Sequence, residues 1–150
     1  MHIKIEKAQN EDAGRLAEVF NQSFYSDYVT YGECPGYNKT EAGMRQSISK
    51  NMVYKVTADE EIVGAISVRR ESGHRYYLGA LCIIPAYANK GIGQTAMKYL
   101  DTEFPDARHW SLETPADKLP NHYFYQKFGY RITKEYKDGS VAISYFERQL

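Results

Sequence analysis

Two cysteines in 150 residues, Cys34 and Cys82, are too few for a disulfide framework and are not spaced as metal ligands. Cys82 lies in an apolar run and reads as a small buried hydrophobe, while Cys34 lies in a polar stretch with no partner ligands around it. No metal is expected. Charge of one sign is not in excess either. The 19 basic and 19 acidic residues leave a formal net charge of zero, without the basic surplus of a nucleic-acid binder. No apolar run approaches the roughly 18 residues of a membrane-spanning helix. The opening "MHIKIEKAQNED" has no apolar signal-peptide core, so a cytoplasmic protein with no membrane partner is expected. Repeats, low-complexity tracts and linkers are missing, which leaves one domain over residues 1–150.

Hydrophobic residues make up 43% and charged residues 25%, the balance of a globular chain with a real core. Tyrosine is over-used, at 14 residues, which fits aromatic walls of a pocket or half-buried strands.

Periodicity supplies the elements. Met1–Lys7 alternates as a strand, and Asn10 is placed to cap a helix over about Glu11–Gln22. "FYSDYVTYGECPGYNK", Phe24–Lys39, reads as a long loop of the kind that carries function. Thr40 is placed to cap a second helix, Glu41–Lys50. The period then changes to two: "MVYKVTA" and "EIVGAISVRR" flank Asp59-Glu60, and "HRYYLGALCII" follows Ser72-Gly73. A helix from Gly91 to about Glu103 places Ile92, Ala96, Met97 and Leu100 on one face. "RHWSLETP" is a strand and Pro120–Lys127 a short helix ended by Gly129. "YRITKEYK" and "SVAISYFERQ" are strands around Asp138-Gly139, the strongest hairpin signal in the chain. The order β-α-α-β-β-β-α-β-α-β-β predicts an α/β fold: a mixed, mainly antiparallel sheet of about six or seven strands, with one central parallel pair and helices on both faces.

The stretch "IIPAYANKGIGQTAMKYL" carries the chemistry. A proline closes an apolar strand, and Lys90, Gly91 and Gly93 stand at the mouth of a helix. Backbone N–H groups at a helix start have no internal partners, and the helix dipole is positive there. Glycine lets an anion approach the backbone, and Lys90 adds charge at the rim. Neither G-x-x-x-x-G-K-[ST] nor G-x-G-x-x-G is present, so a phosphate cradle and a glycine-rich turn without ligand both stand on these residues alone.

The element order and two sequence blocks resemble the GNAT superfamily of N-acetyltransferases. In "LCIIPAYANKGIGQTAM", Ile83 and Pro85 match the family's strand end x-V-x-P, and Gly91 and Gly93 match the glycines of Gln/Arg-x-x-Gly-x-Gly/Ala. The first position of that motif falls on Ala88, which removes a side chain and keeps the backbone amides. In "NHYFYQKFGYRI", Phe124, Tyr125, Gly129 and Tyr130 match the family's C-terminal block, and the strand bearing Gly64 is similar to the family's third strand.

The resemblance implies acetyl-CoA as co-substrate and an amine as acceptor, with acetyl transfer direct and no covalent enzyme intermediate. It implies that the strands Tyr77–Ile84 and Arg108–Thr114 splay apart at their C-terminal ends. Leu81, Cys82 and Ile83 would then contact the pantetheine, and Asn89, Lys90, Gly91, Ile92, Gly93 and Gln94 the pyrophosphate. Asn121 corresponds to an asparagine near the cofactor, and Tyr125 to a general acid for the leaving thiolate. Glu113, at a strand end, is a candidate base or a solvated carboxylate. The acceptor would meet Tyr25, Tyr28, Tyr31, Glu33 and Tyr37, an aromatic and acidic set suited to a cationic amine. A small-molecule amine is the expected acceptor; a protein amine, a longer acyl chain and a non-catalytic CoA-binding module are the alternatives. A homodimer is the expected assembly.

Overall fold

The computed structural model describes all residues 1–150. Its strands are β1 (Ile3–Lys7), β2 (Met52–Ala58), β3 (Glu61–Ser72), β4 (Arg75–Ile83), β5 (His109–Pro115), β6 (Arg131–Asp138) and β7 (Val141–Gln149). Its helices are α1 (Ala13–Tyr31), α2 (Glu41–Lys50), α3 (Ile92–Glu103) and α4 (Leu119–Gln126), with single 3-10 turns at Asn10–Asp12 and Pro85–Tyr87. The strands form one seven-stranded sheet in the order β1-β2-β3-β4-β5-β7-β6. The pair β4–β5 is parallel, while β1–β2, β2–β3, β5–β7 and β6–β7 are antiparallel. The α/β mixed sheet read from the element order is therefore the observed one.

The chain divides into two compact units, through both of which β3 and β4 run. The first comprises Met1–Val68 and Ala80–Glu103. Its core gathers Leu16, Val19 and Phe20 of α1, Met44 of α2, Val56, Val63 and Ile66 of the strands, and Ile92, Met97 and Leu100 of α3. The α3 residues are those whose helical spacing put them on one face. Gly64 has a packing reason: a Cβ there would lie 2.6 Å from Ile83 Cδ1 and 2.7 Å from the Cys82 carbonyl oxygen. Only a hydrogen lets β4 approach β3 so closely.

The second unit comprises Arg69–Gly79 and Phe104–Leu150. Tyr76, Phe104 and Trp110 form its aromatic centre, with ring centroids 4.8–5.6 Å apart. The Tyr76 hydroxyl donates to Asp106 at 3.0 Å and accepts from Arg70 Nη2 at 2.6 Å, which satisfies the one polar group of a buried ring.

One predicted element differs. The stretch expected to be loop, Phe24–Lys39, is helical as far as Tyr31, because α1 continues nine residues past Gln22. Gly32 ends it in the left-handed region at φ 78°, donating its N–H to the Tyr28 carbonyl at 2.8 Å. At the other end the expected cap also shifts: Asn10 is inside the 3-10 turn, and the Gln9 N–H donates to Asp12 Oδ2 at 2.7 Å. Thr40 does cap α2, its Oγ1 accepting from the Gly43 N–H at 3.0 Å.

Candidate functional site

The first unit carries the glycine cradle. After Ile84 the chain makes the 3-10 turn Pro85–Tyr87, and Ala88 closes it by donating to the Pro85 carbonyl at 3.1 Å. Asn89 and Gly91 then adopt left-handed φ values of 60° and 81° on either side of Lys90. Such alternation turns successive N–H groups to one concave side. Helix α3 begins immediately, and its first backbone bond runs from the Thr95 N–H to the Gly91 carbonyl at 3.2 Å. The amides of Ile92, Gly93 and Gln94 precede that bond and have no intrahelical acceptor. A Cβ built on Gly91 meets nothing within 4 Å, so the space beside Gly91 is open. Asn89, Lys90, Gly91 and Gln94 are exposed around it, while Ile92 points into the core. An open nest of amides at the positive end of a three-turn helix, with a lysine beside it, fits a pyrophosphate.

Of the three β4 residues expected beside the pantetheine, Leu81 and Ile83 are half-buried and Cys82 is buried. Burial pushes the Cys82 thiol up to about 12, so it stays protonated and is no nucleophile. The β4–β5 ladder holds Arg75↔His109, Tyr76↔Trp110 and Tyr77↔Ser111 and stops there, although β4 continues through Ile83.

An apolar cleft of about 520 Å³ lies in the same unit, lined by Asn21, Gln22, Tyr25, Tyr37, Pro85 and Ala86. Pro85 and Ala86 belong to the loop that leads into the cradle. Tyr37 stacks on Tyr28 at 4.6 Å and contacts Tyr25 at 5.8 Å. The loop bearing Tyr37 is tied to α1 by Asn21, whose side chain accepts from the Lys39 N–H at 2.7 Å and donates to the Lys39 carbonyl at 3.0 Å. The structure thus brings together Tyr25, Tyr28 and Tyr37 of the sequence-expected set. Of that set only Tyr25 and Tyr37 line the cleft; Tyr28 backs Tyr37, and Tyr31 and Glu33 stand outside the lining, which has no carboxylate. Sequence reasoning missed Asn21, Gln22, Pro85 and Ala86. The helical continuation of α1, which puts Gln22 and Tyr25 about one turn apart, was the missing signal.

The second unit carries the other expected groups. Tyr125 is buried on α4 among Phe124, Tyr130 and Phe146, with ring centroids 5.1–6.2 Å away. Asn121 is half-buried, one turn earlier on the same helix. His122 is buried against Phe146, with Nε2 3.1 Å from the Pro115 carbonyl, and is a packing residue. Glu113 is exposed near the end of β5. Its Oε1 accepts from the Tyr77 hydroxyl at 2.6 Å, and its Oε2 accepts from the Tyr136 hydroxyl. No group of three or more His, Cys, Asp or Glu side chains is placed to hold a metal ion. No helix is long and apolar enough to cross a membrane.

A mixed sheet with one short central parallel ladder, followed by an amide nest at a helix start, defines an acyl-CoA-type transferase scaffold. Residues 14–130 match the family model "Acetyltransferase (GNAT) family", and the chain belongs to that family of acetyl-CoA-dependent acetyltransferases. Solved structures agree on the fold. The PaiA N-acetyltransferase from Thermoplasma acidophilum, in complex with coenzyme A, superposes with a TM-score of 0.82 at 21% identity, covering 100% of both chains. A GNAT family acetyltransferase from Elizabethkingia anophelis with acetyl-CoA bound gives a TM-score of 0.73 at 16% identity, covering 99% of this chain and 98% of the other. The Bacillus subtilis protein YrkN is 26% identical over 142 residues, which span 91% of this chain and 77% of YrkN.

Proposed function

We propose that residues 1–150 form one acetyltransferase domain that moves the acetyl group of acetyl-CoA directly to the primary amine of a small molecule. The observation that carries this reading is the nest formed by left-handed Asn89 and Gly91 at the open N-terminus of α3. In the proposal, Asn89, Lys90, Gly91, Ile92, Gly93 and Gln94 hold the pyrophosphate. Beyond the end of the β4–β5 ladder, Leu81 and Ile83 offer their amides to the pantetheine arm, with Cys82 between them turned to β3 as Ile84 is. Asn121 supports the cofactor from α4. When bound, acetyl-CoA supplies an acetyl group activated as a thioester.

The residues of the chain then bind, orient and protonate. Tyr125 Oη is the proton donor, since a hydroxyl placed beside the leaving sulfur can protonate it as general acid. Glu113 keeps its two tyrosine bonds and stays out of proton transfer; the amine enters as the free base, and the proton its nitrogen sheds on becoming an amide replaces the one that Tyr125 gives to the thiolate. A protonated Cys82 leaves direct attack by the acceptor nitrogen, favoured by proximity. The acceptor's apolar body occupies the cleft beside Tyr25 and Tyr37, a volume in the range of small-molecule sites.

The test is thiol release from acetyl-CoA against a panel of amines, with Tyr125→Phe in parallel. Turnover with one class of apolar amine, reduced at least tenfold in the variant, is expected. Turnover unchanged in the variant removes Tyr125 from the mechanism. Turnover confined to peptide N-termini moves the acceptor to proteins. Tight acetyl-CoA binding with no turnover on small or peptide amines favours a non-catalytic CoA-binding module.

A further inference from the structure

Strand β6 is the last strand of the sheet and borders only β7, so its outer backbone groups face solvent. All eight of its residues are exposed. A register shift between Ile132 and Lys134 interrupts the hairpin. Beyond it the pairing is regular, from Lys134↔Tyr145 to Asp138↔Val141. The regular stretch reads Lys134-Glu135-Tyr136-Lys137-Asp138. A long exposed edge is a template for another strand unless its side chains forbid pairing.

We propose that this edge pairs with the same edge of a second copy, antiparallel about a two-fold axis through Tyr136. The inference is independent of the acetyl-transfer chemistry. In that register Lys134 faces Asp138 of the other copy, Glu135 faces Lys137, and Tyr136 faces itself. Each charge meets its opposite, on both faces of the sheet. The alternatives set like charges directly opposite each other on the axis. Centring on Lys134 pairs two lysines, on Glu135 two glutamates, on Lys137 two lysines and on Asp138 two aspartates. Directly opposed like charges destabilise a ladder, and opposed unlike charges support it. Tyr136 is thus the one centre in the stretch that avoids a clash of charge.

Backbone chemistry agrees with that register. The two-residue turn Gly139-Ser140 makes Asp138↔Val141 the closing hydrogen-bonded pair of the hairpin, and such pairs alternate. Asp138, Tyr136 and Lys134 therefore spend their backbone groups on β7, and Glu135 and Lys137 direct theirs outward. With Tyr136 on the axis, Glu135 and Lys137 of opposite copies become hydrogen-bonded partners. Tyr136 then forms the intervening pair without hydrogen bonds, with its Cα atoms about 4.5 Å apart. An isologous two-fold contact requires self-complementarity of this kind.

Sedimentation of the full chain over a range of concentrations tests the proposal. A monomer–dimer equilibrium is expected. Lys137→Glu, which sets two pairs of glutamates opposite each other, should weaken it at least tenfold. The swap Glu135→Lys with Lys137→Glu should restore it to within about threefold of the parent, because the unlike pairs return. Tyr136→Cys should give a reducible covalent dimer under mild oxidation, whereas the parent, which keeps Cys34 and Cys82, should not. If Lys137→Glu fails to fold by circular dichroism, the swap and the cysteine variant decide. A monomer at every concentration overturns the proposal and makes these charges a guard against pairing. A dimer indifferent to Lys137→Glu, or one not restored by the swap, overturns it as well.

Discussion

The hydroxyl of Tyr77 donates to Glu113 Oε1 at 2.6 Å, across the neighbouring strands β4 and β5. Arg69 lies over the Tyr77 ring, its Cζ 4.6 Å from the centroid. Burial, and then the Glu113 bond, raise the Tyr77 pKa well above the usual phenol range, so this hydroxyl remains a donor at any physiological pH. With Tyr136 on its other oxygen, Glu113 is a bridge between strands. Glu113→Gln should therefore leave turnover within about threefold and leave the pH profile unmoved, whereas loss of a general base would cost on the order of a hundredfold or more. Steady-state rates from pH 6 to 9 check this.

Gly91 is held at φ 81°, where a side chain costs roughly 1–2 kcal/mol. A Cβ there meets no protein atom within 4 Å, so an added methyl would compete for space only with a bound ligand. Gly91→Ala should weaken coenzyme A binding about tenfold or more by titration calorimetry, as expected from strain plus obstruction. The thermal transition should fall by only a few degrees, as for about 1–2 kcal/mol in a chain of this size. An affinity unchanged in the variant would place the pyrophosphate elsewhere.

Gly64 differs in kind, since its substitution should act on folding. An added methyl would press on Ile83 Cδ1 and on the Cys82 carbonyl oxygen, and the second cannot rotate away. Gly64→Ala should destabilise by about 1–3 kcal/mol, the usual cost of overpacking. Urea unfolding gives the value. Because the clash falls on the β4 residues proposed to meet the pantetheine, coenzyme A affinity should fall too.

The contrast between these glycines shows what the sequence makes legible. Strand alternation, the spacing of Ile92, Ala96, Met97 and Leu100, and the punctuation at Pro85, Gly91 and Gly129 are local signals, and each marks an element that forms. The second half of α1 has no such signal. Tyr25, Tyr28 and Val29 are exposed, so no apolar stripe advertises a helix there, and the segment's tyrosines resemble a loop or strand. Gly32 was the available stop sign, placed at the true end. The cleft depends on which side chains a helix turn brings beside Pro85, a long-range fact that periodicity does not encode. The bridge from Glu113 to Tyr77 and Tyr136 needs four strands, β4, β5, β7 and β6, in register and was equally hidden.

Lys55 Nζ lies 2.9 Å from Asp12 Oδ2, with both side chains largely covered. The Asp12 hydrogen bond raises the Lys55 pKa, against an opposing contribution from burial. A lysine whose pKa is raised on folding contributes stability that is fully present below its unfolded value, about 10.4. That contribution is lost as pH rises through the folded value. The urea midpoint should therefore drop between pH 9.5 and 11.5 more steeply in the parent than in Lys55→Met. Equal slopes would mean that the pair adds nothing to the alkaline limit.

Tyr37, backed by its stack on Tyr28, lines the cleft, and Asn21 holds the loop that delivers it. If an acceptor's apolar body rests there, Tyr37→Ala should raise the acceptor KM about tenfold, on the order of the 1–3 kcal/mol that an aromatic contact and its buried area supply. Coenzyme A affinity should stay within about twofold, because Tyr37 is not among the groups of the amide nest. Tyr37→Phe should behave as the parent if the ring alone matters, and should share the KM defect if the hydroxyl binds the amine. Asn21→Ala gives a second reading of the same wall. It frees the Lys39 backbone, so the acceptor KM should rise without any change in the Tyr37 side chain itself. If KM moves in neither variant while turnover persists, the acceptor lies outside this cleft.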